Sequence, residues 1–209
     1  PFSLIGLTLA IFLGFRNSTS YARYWEARTL WGSVLNETRS LTRQSLNLTA
    51  DPTRTPVLVN RLCAFVHALR HQLRKSDPRE DLQKFLPTAD CERIAKMQFP
   101  ASMVLLSVGE WIGERLRKGE IPPAVVPAFE NPMDRLTAAM GGCERIAATP
   151  IPFTYSVIIH RSIYLYCFWL PFGLLDAIGV MTPVIVCFIA YTFFALESIS
   201  AEIEDPFGF

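Results

Sequence analysis

The chain opens on an apolar run, PFSLIGLTLAIFLGF, that passes without any turn signal into a basic, aromatic segment, RNSTSYARYWEARTLWG. A boundary between oily and watery surroundings is therefore expected at Arg16. A bilayer crossing by a helix takes about 20 apolar residues. The run over residues 1–15 is read as the visible part of a spanning helix in a longer protein, since the chain starts without Met and ends on DPFGF.

Hydrophobic residues make up 50% of the 209 and aromatics 12%, with a mean hydropathy of +0.25. That is too oily for an ordinary soluble domain, yet the 19% of charged residues is too many for a purely intramembrane bundle. Oily and charged stretches must be segregated along the chain. A net charge of +1 with no basic stripe and no zinc-finger or RNA-binding motif gives no case for nucleic acid. The five cysteines form an odd set without CxxC spacing, which reads as reduced structural thiols.

A second oily region runs from Ile151 to about Leu196 and is interrupted by Pro171, Gly173, Asp176, Gly179 and Pro183. Two apolar arms, SIYLYCFWLPFGLL and VIVCFIAYTFFALE, joined by a bend give a helical hairpin that enters and leaves a membrane on one side. Arg16, Arg23, Arg28 and Arg161 flank the apolar segments and supply the positive charge expected on the cytoplasmic side. The chain is thus divided into a transmembrane helix (1–15), a cytoplasmic helical region (16–150), a transmembrane hairpin (151–197) and a cytoplasmic C-terminal segment (198–209). The setting is the cell membrane, crossed more than once, with the bulk of the polar region in the cytoplasm.

The middle reads as amphipathic helices. Leu62, Phe65, Val66, Leu69 and Leu73 recur at offsets of three and four and share one stripe, with Arg61, Arg70 and Arg74 on the other face. Turn-rich stretches near 49–56 and 75–81 each contain an Asp-Pro pair suited to a helix start. Short helices are expected around Thr88–Met97 and Ser102–Arg117, then a proline-stiffened KGEIPPAVVP connection, then a helix starting at Asn131 and Pro132. Alternating strand patterns are absent, so the fold class is all-α.

Several patterns are weak as chemistry. His67 and His71 lie four apart on a helix, a spacing that suits a metal, but no third ligand accompanies them and a packed or solvated helix face explains them. No GxSxG elbow, P-loop or GxGxxG frames the available Ser, His and Asp, so no enzyme chemistry is expected. Tyr21, Tyr24, Trp25 and Trp31, interleaved with Arg16, Arg23, Glu26, Arg28 and Glu37, need a packed surface. They point to an interface with other cytoplasmic helices or with neighbouring subunits, on which Arg23 and Glu26 have the spacing of an ion pair.

FRNSTSYARYWEARTLWG, TPIPFTYSVIIHRSIYLYCFWLPFGL and the terminal AEIEDPFG stand in one order along the chain, and in these three segments it resembles the bestrophin family, in particular its bacterial members. The resemblance runs from first residue to last and lacks only the family's first transmembrane helix. It implies a homopentameric ion channel with a pore on the five-fold axis. Matched to the family, Leu7, Ile11 and Phe15 are the hydrophobic neck, and their successive offsets of four place them along one helix face. Val125, in IPPAVV, is the matching position of a second constriction at the cytoplasmic exit, with Pro122 and Pro123 stiffening the rim. Gly6 and Gly14 are placed to let adjacent helices approach closely.

Five copies of the neck would form apolar rings with no ligand for a dehydrated ion, so a narrow state blocks conduction by dewetting. Anions are the family preference; the single neck phenylalanine, Phe15, leaves monovalent cations open. Animal members carry a calcium clasp built partly from acidic residues after the terminal PFG and partly from the extreme N-terminus. Here Glu202, Glu204 and Asp205 precede Pro206, those two segments lie outside the sequence, and no cofactor or metal is expected. The competing reading is a membrane-anchored helical scaffold that binds a partner and conducts nothing.

Overall fold

The computed structural model describes residues 2–208, the Phe2 side chain excepted. Helix α1 runs from Phe2 to Leu48 without interruption, about 70 Å at 1.5 Å per residue. No proline occurs between Pro1 and Pro52, so nothing in this stretch removes a backbone donor. The boundary expected at Arg16 thus leaves no mark on the backbone. Pro52 ends the run, where the Asp51 carboxylate accepts the Thr53 N–H at 3.1 Å and a 3₁₀ turn follows.

The chain forms two compact units, residues 1–26 with 148–206, and residues 27–147 with 207–209. In the second, α2 (Thr55–Arg74), α3 (Arg79–Leu82), α4 (Thr88–Ala95), α5 (Pro100–Arg117) and α6 (Val126–Ala148) pack with the later turns of α1. The stripe expected on α2 is its core face: Leu58, Leu62, Phe65 and Leu69 are buried. Phe65, Phe129 and Leu136 are fully covered, and each such side chain contributes about 1.5–3 kcal/mol. The arginines of α2 go elsewhere. Arg61 donates to the Ser107 carbonyl, Arg70 to Asp81, and the Arg74 Nε to the Phe207 carbonyl at 3.0 Å.

Helix α6 begins at Val126 rather than at Asn131, with Pro132 inside it and buried. Pro127, in the opening turn, meets no backbone demand there because the first four N–H groups of a helix have no intrahelical acceptor. The Asn-Pro pair is therefore not the start signal its composition suggests.

In the first unit, α7 (Phe153–Ile178) and α8 (Thr182–Glu204) are joined by a 3₁₀ turn over Gly179–Met181. They pair antiparallel. Tyr166 meets Phe193 with ring centroids 5.7 Å apart, Tyr164 meets Phe194 at 4.9 Å, and the His160 Nδ1 lies 3.0 Å from a Glu197 oxygen, each step forward on α7 matched by a step back on α8. The break falls at Gly179, whose φ of +52° suits a residue without Cβ, while Pro171 and Gly173 lie inside α7. Among the described residues, Phe153–Glu204 is the stretch long and apolar enough to cross a membrane, with a hydropathy of 2.2 in its apolar window.

Candidate pore-lining face

Within the first unit, α1 has two unlike faces. Leu9 and Leu13 are buried with Ile159 and Ile163, and Tyr155, Tyr166, Phe193 and Phe194 pack around them. Arg16 and Ser20 continue that covered line. At about 100° per residue, Leu7, Ile11 and Phe15 fall on the opposite side. They are 59%, 49% and 64% exposed. The three expected neck residues therefore share one open face, and none of their side chains offers a donor or acceptor to a dehydrated ion.

Gly6 lies on the packed side. A Cβ there would stand 2.5 Å from the Tyr166 hydroxyl, whereas one at Gly14 would meet nothing within 4 Å. Close approach thus holds for Gly6 within this chain, while the position of Gly14 on the helix turns it away from α7 and α8.

Arg16 is not a solvated charge. It is 3% exposed, its Nη2 donates to a Glu204 oxygen at 3.1 Å, and its Nη1 lies 3.7 Å from Glu197. Glu197 also faces the His160 Nδ1. A guanidinium so removed from water is tolerated because carboxylates meet it, and the pair fixes the register of α1 against α8. Sequence reading counted Arg16 only among the charges that flank the apolar segments and missed this role. The signal was available in the spacing, since positions 9, 13, 16 and 20 form one helical line and Arg16 stands on it.

The remaining aromatic segment splits. Trp31 is half-buried against the core of the second unit, so it serves this chain's own packing. Tyr21, Tyr24 and Trp25 are exposed, as are Glu26 and Arg28. The Arg23 Nη1 donates to the Thr149 carbonyl at 2.5 Å. Val125 sits in a 3₁₀ turn, Pro123–Val125, half-buried against the core; the exposed positions just before it are Pro122, Pro123 and Ala124.

His67 and His71 converge on a carboxylate instead of a metal. The Asp81 Oδ2 lies 3.0 Å from the His71 Nε2 and 3.3 Å from the His67 Nδ1, Arg70 bonds the same oxygen, and the Lys84 Nζ donates to Oδ1 at 2.7 Å. The Lys84 and His71 hydrogen bonds hold the Asp81 carboxyl far below the usual carboxylate range. No group of three or more His, Cys, Asp or Glu arranged to hold a metal occurs among the described residues.

A hydrophobic helical hairpin, and an unbroken helix that packs one face on it while leaving an apolar face open, define an α-helical membrane protein. The sequence matches, over residues 1–209, the family described as Bacterial/Fungal Bestrophin protein. It is 51% identical to a voltage-dependent anion channel-forming protein of Ralstonia nicotianae, across the whole chain and 69% of that relative. The voltage-dependent anion channel-forming protein YneE of Escherichia coli K12 is 42% identical, again across the whole chain and 68% of the relative. The crystal structure of a bacterial bestrophin homolog from Klebsiella pneumoniae superposes with a TM-score of 0.96 at 44% identity, covering all of this chain and 78% of that one. The chain belongs to the bestrophin family.

Proposed function

We propose that this chain lines the pore of a passive channel for small anions, built from five copies around one axis, with Leu7, Ile11 and Phe15 as its apolar neck. The observation that carries the reading is the exposure of those three side chains on the side of α1 opposite its packed face. In a ring, that face turns inward and surrounds the axis with hydrocarbon. Two relatives are named as anion channel-forming proteins, and the positive edge of the Phe15 ring suits an anion. A narrow apolar neck excludes water and stops ions; a slight widening wets it and lets hydrated anions pass.

In this reading residues 1–15 belong to the pore helix and 151–197 to a transmembrane hairpin. Residues 16–150 and 198–209 are cytoplasmic, and the chain crosses the cell membrane more than once. The cytoplasmic exit is narrowed at Pro122–Val125, with Val125 the sequence-matched position and Ala124 the more exposed one. No catalytic step is part of this function.

The test is electrical. The whole protein reconstituted in planar bilayers is expected to give currents whose reversal potential follows the chloride gradient. Replacing Leu7, Ile11 and Phe15 together by Ala should raise unitary conductance or open probability by about tenfold, as expected when a dewetted constriction widens. Unchanged currents would remove the three residues from the pore, and a native mass of one or two copies would favour the non-conducting scaffold.

A further inference from the structure

A closed ring built from one kind of chain needs two different faces on each copy, because each contact joins unlike surfaces. The second unit offers two such faces, one on either flank of α1. On one flank the chain covers itself: the Arg135 Nε lies 2.7 Å from a Glu37 oxygen, and a Cβ built at Gly142 would come within 2.8 Å of Leu30. Those contacts set α6 beside α1, antiparallel, pairing 37 with 135 and 30 with 142. About 180° around α1, the other flank is open. Leu35 and Leu46 are 49% and 51% exposed there. They border a groove of about 540 Å³ between α1 and α2, floored by Leu62 and Val66 and rimmed by Arg39 and Arg43.

The outer surface of α6 has the opposite character. Glu130, Asp134, Thr137, Ala138 and Gly141 are exposed, while Phe129, Leu136, Met140 and Cys143 face inward. A Cβ built at Gly141 meets nothing. This surface is narrow, built from small residues and acidic toward its N-terminal end. None of Arg39, Arg43, Glu130 and Asp134 has an ion-pair partner among the described residues.

Height along the helices decides the pairing. On the register fixed by Glu37 with Arg135 and Leu30 with Gly142, Asp134 stands level with Thr38 and Arg39. Glu130 stands level with Thr42 and Arg43, Thr137 and Ala138 with Leu35 and Val34, and Gly141 with Trp31 and Gly32. Rotation about an axis running along α1 moves a residue to the next copy without changing its height. The cations on the open flank of one copy therefore meet the acids on the α6 surface of the next.

We infer that the α1/α2 groove of each copy receives the outer face of α6 from its neighbour, with Arg39 paired to Asp134 and Arg43 to Glu130 across the contact. The small side chains from Thr137 to Gly141 let that helix settle against Leu35. This inference rests on the ring assembly proposed above and specifies how the ring closes.

A charge-exchange cycle and a cross-link test it on the whole protein in mild detergent. Arg39→Asp with Arg43→Glu should lower the fraction in the ring by about tenfold or more, since facing acids then repel. Adding Glu130→Arg and Asp134→Arg should restore it. In a background carrying Cys63→Ser and Cys187→Ser, the pair Arg39→Cys and Asp134→Cys should give, under mild oxidant, a ladder of covalent multimers. Within one chain those positions lie on opposite flanks of α1, so a bridge between them must join two copies. A ring that persists through the charge reversal and yields no cross-link would overturn this pairing while leaving the ring intact. A parent protein that shows no ring at all would instead remove the assembly itself.

Discussion

The two compact units use apolar side chains in opposite ways. In residues 27–147 the largest cluster is enclosed: Phe65, Phe129 and Leu136 have essentially no exposure, Leu35 and Leu46 on the open flank of α1 being among the exceptions, and charged residues crowd the outside. In the hairpin unit the enclosed cluster is small, Leu9, Leu13, Ile159 and Ile163. There Phe153, Val180 and Phe188 are 81%, 91% and 71% exposed. Water would not tolerate such a surface in a stable monomer; hydrocarbon does. The difference teaches that the two units answer to different solvents. Burying a methylene drives folding in the first case and does little in the second, where close fit and polar pairs must hold the helices together.

The widest gap between the units should appear on truncating a phenylalanine in each. Phe129→Ala, in the enclosed core, is expected to cost about 3–5 kcal/mol, while Phe188→Ala should stay within about 0.5 kcal/mol, both read from thermal unfolding in detergent. A large cost at Phe188 would mean that its surroundings are protein rather than lipid.

A polar contact should matter more than any single exposed apolar one in the hairpin unit. Arg16→Met, which keeps the side-chain length and removes the charge, leaves Glu197 and Glu204 facing each other and should cost about 2–3 kcal/mol. The further change Glu204→Gln should recover part of it. Absence of any recovery would show that Arg16 acts through packing alone.

Asp81→Asn tests the corresponding charge cluster in the water-facing unit and should cost about 1–3 kcal/mol at neutral pH. Its pH dependence has a definite sign. The folded carboxyl is depressed relative to its ordinary 3.8, so its contribution is complete above that value and is lost only as pH falls further, toward the folded value. The gap between parent and variant should hold from pH 8 to pH 5 and close only in strong acid. A gap that closed well above that ordinary value would show that the Asp81 carboxylate is not the group responsible.

The smallest cost within the enclosed unit is expected at Gly142→Ala. The new methyl would press on the flexible end of Leu30 and cost about 1 kcal/mol, measurable by the same melts. Combining it with Leu30→Val should return most of the loss.

The parts of this architecture that were legible from sequence were those governed by local period. The stripe on α2 and the alignment of Leu7, Ile11 and Phe15 on one face follow from offsets of three and four, and the two hairpin arms from the length of their apolar runs. What stayed hidden depends on contacts between distant segments. Nothing local to Arg16 announces that its partners lie on α8, and the charge that draws His67 and His71 together comes from Asp81 on another helix. The start of α6 was misplaced for a different reason: a proline is equally at home in the first turn or, where neighbours cover it, deeper inside.

Helix α1 has one more implication. It holds its hydrogen-bond ladder through 47 residues with no proline to act as a joint. A rod of that kind carries no built-in hinge, so any bend along it has to be made by opening backbone hydrogen bonds.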